Sequence, residues 1–236
     1  MTLTAPHARS LRLRLTRREQ AEMREVNITH TVIAGWTGRD RAAMEHHFVE
    51  LEQIGVGRPP RTPMFYRVSC QCLTTAHAIE ASAGDSSGEV EFVLLAWDDD
   101  LWIGVGSDHT DRKVETYDIA VSKQMCAKPL AAEFWRFADL RGHWDELVLR
   151  SFIGEGRARE LYQEGQVSAM LAPADLIDRY RDGGATLPAS TLMFGGTLAA
   201  IGGVRPASPF AFELFDPVLD RRIGHHYRVV ALPAFT

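Results

Sequence analysis

The sequence predicts an α+β fold with a mixed, β-rich core and peripheral helices, and three observations carry that expectation. Segments with the two-residue period of strands outnumber those with helical period. One strand, Glu89 to Trp97, is apolar on both faces along most of its length, so it belongs inside a core rather than on its surface. The helical stripes are few and one-sided, which places them at the edge.

Element by element, Leu11, Leu13 and Leu15 alternate with Arg12 and Arg14, a strand with one buried and one wet face. A helical stretch is expected over Arg17 to Arg24, then a second strand over Val26 to Ala34 that closes at Gly35-Trp36-Thr37-Gly38. The first substantial helix is predicted over Arg39 to Gln53, where Met44, Phe48 and Leu51 share a stripe and Gly55 and Gly57 mark the end. A proline-rich turn, Arg58 to Pro63, precedes a strand at Met64 to Val68. The Ala83 to Gly88 loop leads into the Glu89 strand, and a turn at Asp98-Asp99-Asp100 joins it to Leu101–Val105. Ser107 is expected to cap a following helical turn. Ala131 to Phe137 reads as helix, Glu146 to Ser151 as strand, and Leu161 to Gly165 as a hairpin turn. Pro173 to Tyr180 is an amphipathic helix with proline at its start and Gly183-Gly184 beyond its end. Leu192-Met193-Phe194 runs into a glycine-rich turn, and Phe210–Phe215 and His225–Leu232 are the closing strands.

Composition narrows the function classes. With 236 residues and 45% hydrophobic content, the chain can bury a sizeable core as one large domain or as a main domain with a short preface. A net charge of −5 and no basic patch argue against a nucleic-acid partner. Three cysteines without paired spacing read as reduced thiols, not a disulfide framework or zinc site. No membrane-length apolar run and no secretory apolar core are found, so a cytoplasmic location is expected.

The chemistry concentrates in a few segments. Glu89 and Glu91 lie on one face of a strand whose surroundings desolvate them, and such a pair must take up a proton, recruit cations or bind a metal. Asp108 follows the next strand, where loop sites form. Asp111 and Arg112 come shortly after it, and Lys123 fifteen positions after it. Near the front, His47 and Glu50 stand at i, i+3 on a helix and can pair as a base dyad, although His46 at i−4 from Glu50 pairs equally well. Gly195-Gly196-Thr197 after an apolar strand can offer backbone N–H groups and a hydroxyl to an anion, and fits neither a Walker loop nor a dinucleotide fingerprint.

In this order the segments resemble the fumarylacetoacetate hydrolase superfamily, in particular one bacterial branch of it. Its pattern is His-x-x-Glu, Glu-x-Glu, Asn-Asp-x-[Thr/Ser]-x-Arg, a lysine, and Thr-Gly-Thr-Pro-x-Gly. Here these correspond to His47-Phe48-Val49-Glu50, Glu89-Val90-Glu91, Ser107 to Arg112, Lys123, and Gly195 to Gly202, with Ser107 in place of Asn, Leu198 in place of Pro, and Gln124-Met125-Cys126 after the lysine. The resemblance implies a β-roll or pseudobarrel core in a catalytic domain over residues 32–236, preceded by a strand/helix preface over 1–31. It implies a homodimer with Mg²⁺ or Mn²⁺ on Glu89, Glu91 and Asp108. It further implies hydrolytic cleavage of a carbon–carbon bond in a 2-oxo or 2,4-dioxo (acylpyruvate-like) acid. In that reading His47 and Glu50 activate water, Lys123 handles the developing carbanion, and Arg112, Gly196 and Thr197 hold the substrate carboxylate. A 2-oxo acid decarboxylase or a tautomerase/hydratase on the same metal site is the alternative, and a non-catalytic binding domain on the same core the second.

Overall fold

The computed structural model describes residues 8–40, 42, 45 and 60–233. Two mixed sheets organise it. The larger has eight strands: β1 (Arg9–Arg17), β2 (Gln20–Ile28), β3 (His30–Gly35), β4 (Met64–Val68), β6 (Val90–Trp97), β7 (Asp100–Ser107), β8 (Glu133–Arg136) and β11 (Thr191–Thr197). The smaller has five: β5 (Ala78–Ser82), β9 (Val148–Ile153), β10 (Glu160–Gln166), β12 (Phe210–Asp216) and β13 (Arg221–Leu232). The spatial orders are β2-β1-β8-β7-β6-β11-β3-β4 and β10-β9-β12-β13-β5. Pairing is antiparallel except for β1 with β8, β3 with β11, and β5 with β13.

Two apolar cores result. The first lies between the sheets, where Phe92, Leu94, Val105 and Met193 of the larger meet Leu149, Phe210, Phe212 and Tyr227 of the smaller. The second occupies the other face of the larger sheet. Apart from Cys70, Leu73 and Leu130, all its buried members come from that sheet's own strands, from Leu11, Leu13 and Leu15 of β1 to Ile33 of β3 and Val68 of β4. A flat sheet would leave that face in water, so the sheet covers it by rolling on itself, as its twist allows. This is the expected β-roll. Alternation along β6 then sends Val93 and Leu95 into the roll and Phe92 and Leu94 between the sheets, and Glu91 shares the inside face.

The α-helices that lie wholly within the described residues are short: α1 (Arg112–Glu115), α2 (Ile119–Gln124) and α3 (Pro173–Tyr180). Several sequence expectations change. The Arg17–Arg24 segment is a turn leading into β2, because register with β1, from Arg17↔Gln20 to Arg9↔Ile28, satisfies its backbone along the whole strand. Ala131–Phe137 contains β8 rather than a helix, its Phe134 and Trp135 filling opposite cores. Leu161–Gly165 is the body of β10, not a turn. The predicted helix over Arg39–Gln53 falls mostly outside the described residues, as do His46, His47 and Glu50. The boundary expected at residues 31/32 falls inside β3, and β1 and β2 are integral to the larger sheet.

Candidate metal centre

The β6–β7 hairpin builds the acidic cluster by register. Asp98 and Asp99 both take left-handed backbone (φ 53° and 59°), the geometry of a tight two-residue turn that acidic residues tolerate. That turn pairs Trp97 with Asp100, and the ladder continues through Glu91↔Gly106 to Val90↔Ser107. One step beyond, Asp108 lies across from Glu89, and its N–H donates to the Glu89 carbonyl at 3.0 Å. Residues nineteen apart in sequence thus become neighbours. One oxygen from each of Glu89, Glu91 and Asp108 lies within 4.8 Å of the others, the only such metal-competent group among the described residues.

Glu91 and Asp108 are buried, and Glu89 retains partial exposure. On the other side of β6, β11 brings Thr197 opposite Glu91, and the Gly196 N–H donates to Glu91 Oε2 at 2.7 Å. Glycine is required there: φ is +102°, and a Cβ would collide with the Thr37 hydroxyl.

Cations ring the cluster. Asp118 caps α2 by accepting from the Val121 N–H at 2.9 Å, and the last turn of α2 delivers Lys123. Its Nζ lies 2.5 Å from Asp108 Oδ2 and 3.8 Å from Glu89 Oε2. Asp111, not Ser107, caps α1 through the Val114 N–H. Arg112, the first residue of α1, donates to Ser87 Oγ and Glu115 Oε2 and lies 3.1 Å from Glu89 Oε1. Ser107 instead accepts from the Glu89 N–H, fixing the chain at that ligand.

The protonation pattern follows. Burial, reinforced by the Asp108 charge, pushes the Glu91 carboxyl well above its ordinary value. Burial would raise Asp108 too, but the Lys123 and Lys128 charges outweigh it and hold that carboxyl at about 2. Burial works against the Lys123 ammonium, yet Asp108 and Glu89 raise its pKa, so it is a fixed cation at neutral pH. Oxygen-only ligands suit a hard divalent ion. Glu91, whose direct partner is a backbone N–H, is the carboxylate such an ion would neutralise.

The predicted residues therefore divide. Glu89, Glu91, Asp108 and Lys123 converge. Arg112 and Gly196 are at the site, but Arg112 is engaged by hydrogen bonds to Ser87 and Glu115 and an ion pair with Glu89, and the Gly196 N–H by Glu91. Thr197 Oγ1 donates to the Val90 carbonyl at 2.8 Å and accepts from Gln163 Nε2 at 2.9 Å. Three further residues support the site. Lys128 Nζ lies 3.0 Å from Asp108 Oδ1. Gln163 ties β10 to Val90, Ser151, Thr197 and Leu198. His109 is clamped between the Tyr227 hydroxyl (2.9 Å) and Ser86 Oγ (2.8 Å), and burial with the Lys128 and Arg112 charges drops its pKa to about 3. A lysine between Ala127 and Pro129-Leu130 was the one visible signal among these.

No curated protein matches the sequence. Solved structures match the whole fold. Fumarylpyruvate hydrolase from Pseudomonas aeruginosa, in complex with Mn²⁺ and pyruvate, aligns over 98% of this chain and 100% of its own, with 14% identity and a TM-score of 0.64. Yeast ynq8, a fumarylacetoacetate hydrolase family protein, aligns over 88% and 95%, with 15% identity and a TM-score of 0.62. Among the described residues no helix is long and apolar enough to cross a membrane. A family profile matches residues 34–227, so the chain belongs to the family described as protein of unknown function DUF2848, built on the fold of the fumarylacetoacetate hydrolase family.

Proposed function

We propose that this protein is a divalent-metal-dependent hydrolase that cleaves a carbon–carbon bond in a 2,4-dioxo acid of the acylpyruvate type. The observation that carries the reading is the convergence of Glu89, Glu91 and Asp108 within 4.8 Å, beside the Lys123 ammonium. The Mn²⁺ and pyruvate bound by the Pseudomonas enzyme of the same fold support both the metal and a 2-oxo acid ligand. Mg²⁺ or Mn²⁺ would be held by the three carboxylates, and when bound it polarises the substrate oxygens as a Lewis acid.

The chain's own residues then divide the work. His47, oriented by Glu50, takes a proton from water as it attacks the acyl carbonyl, help typically worth about 10²–10⁴-fold. The bond between that carbonyl and the adjacent methylene breaks, releasing a carboxylic acid and a carbanion that becomes the methyl group of pyruvate. Lys123, kept charged by Asp108 and Glu89, stabilises the developing negative charge or returns a proton to that carbon, and the proton that His47 took from water makes good the one delivered. Arg112 and Gly196 act by holding Glu89 and Glu91 in place. Thr197 anchors the turn.

A decarboxylase or tautomerase would use the same carboxylates and Lys123 and need no water-activating dyad. Purified protein assayed with acylpyruvates and oxaloacetate, with Mg²⁺ or Mn²⁺, separates the readings. Acylpyruvate turnover lost in His47→Ala supports hydrolysis. Oxaloacetate turnover unchanged by His47→Ala supports decarboxylation, and a chain that turns over neither with either metal refutes the enzyme.

A further inference from the structure

Lys128 is a lysine with no exposed surface, and it lies beneath the acidic cluster. The Lys128-Pro129 pair forms a parallel ladder with Leu73-Thr74, and Leu130 bridges Gly106, so its backbone is pinned under the end of β7. From there Nζ reaches Asp108 Oδ1 at 3.0 Å and donates to the His109 carbonyl at 2.6 Å. Lys123 holds the other oxygen of the same carboxylate. Both oxygens of one candidate ligand therefore face ammonium groups, Oδ2 through a hydrogen bond from Lys123 and Oδ1 through an ion pair with Lys128.

We propose that Lys128 is a positioning residue that stands in for the divalent ion. It neutralises Asp108 and aims it while the centre lacks metal, and by doing so it weakens the centre's grip on metal. Three carboxylates, Glu89, Glu91 and Asp108, face three cations, Arg112, Lys123 and Lys128. Without Lys128 the fully buried Asp108 carboxylate would keep only one of its two counter-charges in a dry setting, which is costly. Arg112 and Lys123 retain some exposure, whereas Lys128 has none. The sequence pattern that identified the centre calls for one lysine, so this second cation is a feature of this chain. A like charge at this range opposes a divalent ion directly.

The inference rests on the metal-centre reading, and its test keeps the two apart. Mn²⁺ binding is measured by calorimetry or by loss of the free-ion EPR signal, and melting is followed in EDTA and in saturating Mn²⁺. Lys128→Met is expected to melt lower in EDTA, to regain most of that loss in Mn²⁺, and to bind Mn²⁺ about tenfold more tightly or better. An affinity within about twofold of wild type, with equal melting losses in both conditions, overturns the proposal and leaves Lys128 a staple on the His109 carbonyl. Should Lys128→Met fold in neither condition, Asp108→Asn and the Asp108→Asn/Lys128→Met double variant decide. A double variant more stable than Asp108→Asn alone supports the counter-charge role, and a less stable one refutes it. Wild-type protein that takes up no Mn²⁺ sinks the metal reading and the affinity claim with it, and the same Asp108 comparison in EDTA then judges the counter-charge alone.

Discussion

Glu91→Gln opposes stability to function within a single residue. Glu91 is about as large as glutamine, is 2% exposed, and accepts from the Gly196 N–H. A glutamine oxygen can keep that bond while the charge disappears. The native carboxyl sits close to Asp108 and Glu89, and burial and those neighbours push its pKa up, so the ionised form is disfavoured in metal-free protein. Replacing buried ionic groups by neutral ones of similar volume is often neutral or stabilising, by about 1–4 kcal/mol. At about 2–4 °C per kcal/mol for a chain of this size, the variant should melt no lower than wild type in EDTA, and up to several degrees higher. Mn²⁺ affinity should fall at least about 100-fold, because one of three charged ligands is gone. Scanning fluorimetry in EDTA and across a Mn²⁺ titration measures both. A variant that melts several degrees lower in EDTA while keeping the wild-type Mn²⁺ shift would show that Glu91 is a structural anchor and that the ion binds elsewhere.

Other perturbations follow from the same geometry. In EDTA, stability should decline as pH rises above 4.5, where unfolded Glu91 ionises while the folded group still holds its proton, and Glu91→Gln should flatten that decline in urea midpoints. Asp108 has the opposite sign: its contribution is present above 3.8 and lost as pH falls toward about 2. Gln163→Leu takes the Gln163 partner from the Val90 N–H, the Ser151 hydroxyl and the Leu198 carbonyl, leaves Thr197 Oγ1 only its bond to the Val90 carbonyl, and should lower urea-unfolding stability by about 2–4 kcal/mol. Gly196→Ala must accommodate φ +102° and the Thr37 hydroxyl, so it should cost more than about 1 kcal/mol and weaken Mn²⁺ binding along with it, and unchanged affinity would separate the turn from the Glu91 ligand.

The parts of the fold legible in the sequence were those whose local pattern agreed with their surroundings. Strands β1 and β12 alternate as their burial demands, β6 is apolar on both faces as a strand buried on both sides must be, and the Asp98-Asp99 turn has the chemistry its backbone needs. The misread segments are polar or mixed. β2 is mostly exposed along a sheet edge, so Glu22, Arg24 and Glu25 carry no alternation, and its strand character comes from pairing with β1. β8 looked helical because Phe134 and Trp135 are adjacent and apolar, a pattern that a strand buried on both faces and a short helix share.

The site divides along a related line. Glu-x-Glu and the Asp108 segment were visible because their spacing records one strand and one hairpin, and hairpin register converts sequence distance into contact. Gln163 and Tyr227 were invisible, and Lys128 showed only as a lysine between apolar neighbours, because nothing local links them to the Ser107–His109 segment or to Val90; they arrive from β10, from β13 and from the segment after α2. Charge accounting is the signal that recovers Lys128. A buried acidic cluster requires compensating cations whose number depends on its burial, and that burial exists only once two sheets have closed over it. The same closure explains why the glycine-rich turn took a different role from the anion cradle its composition suggested. Rolled against β6, its Gly196 N–H meets the Glu91 carboxylate first, so the anion it binds is one the chain itself provides.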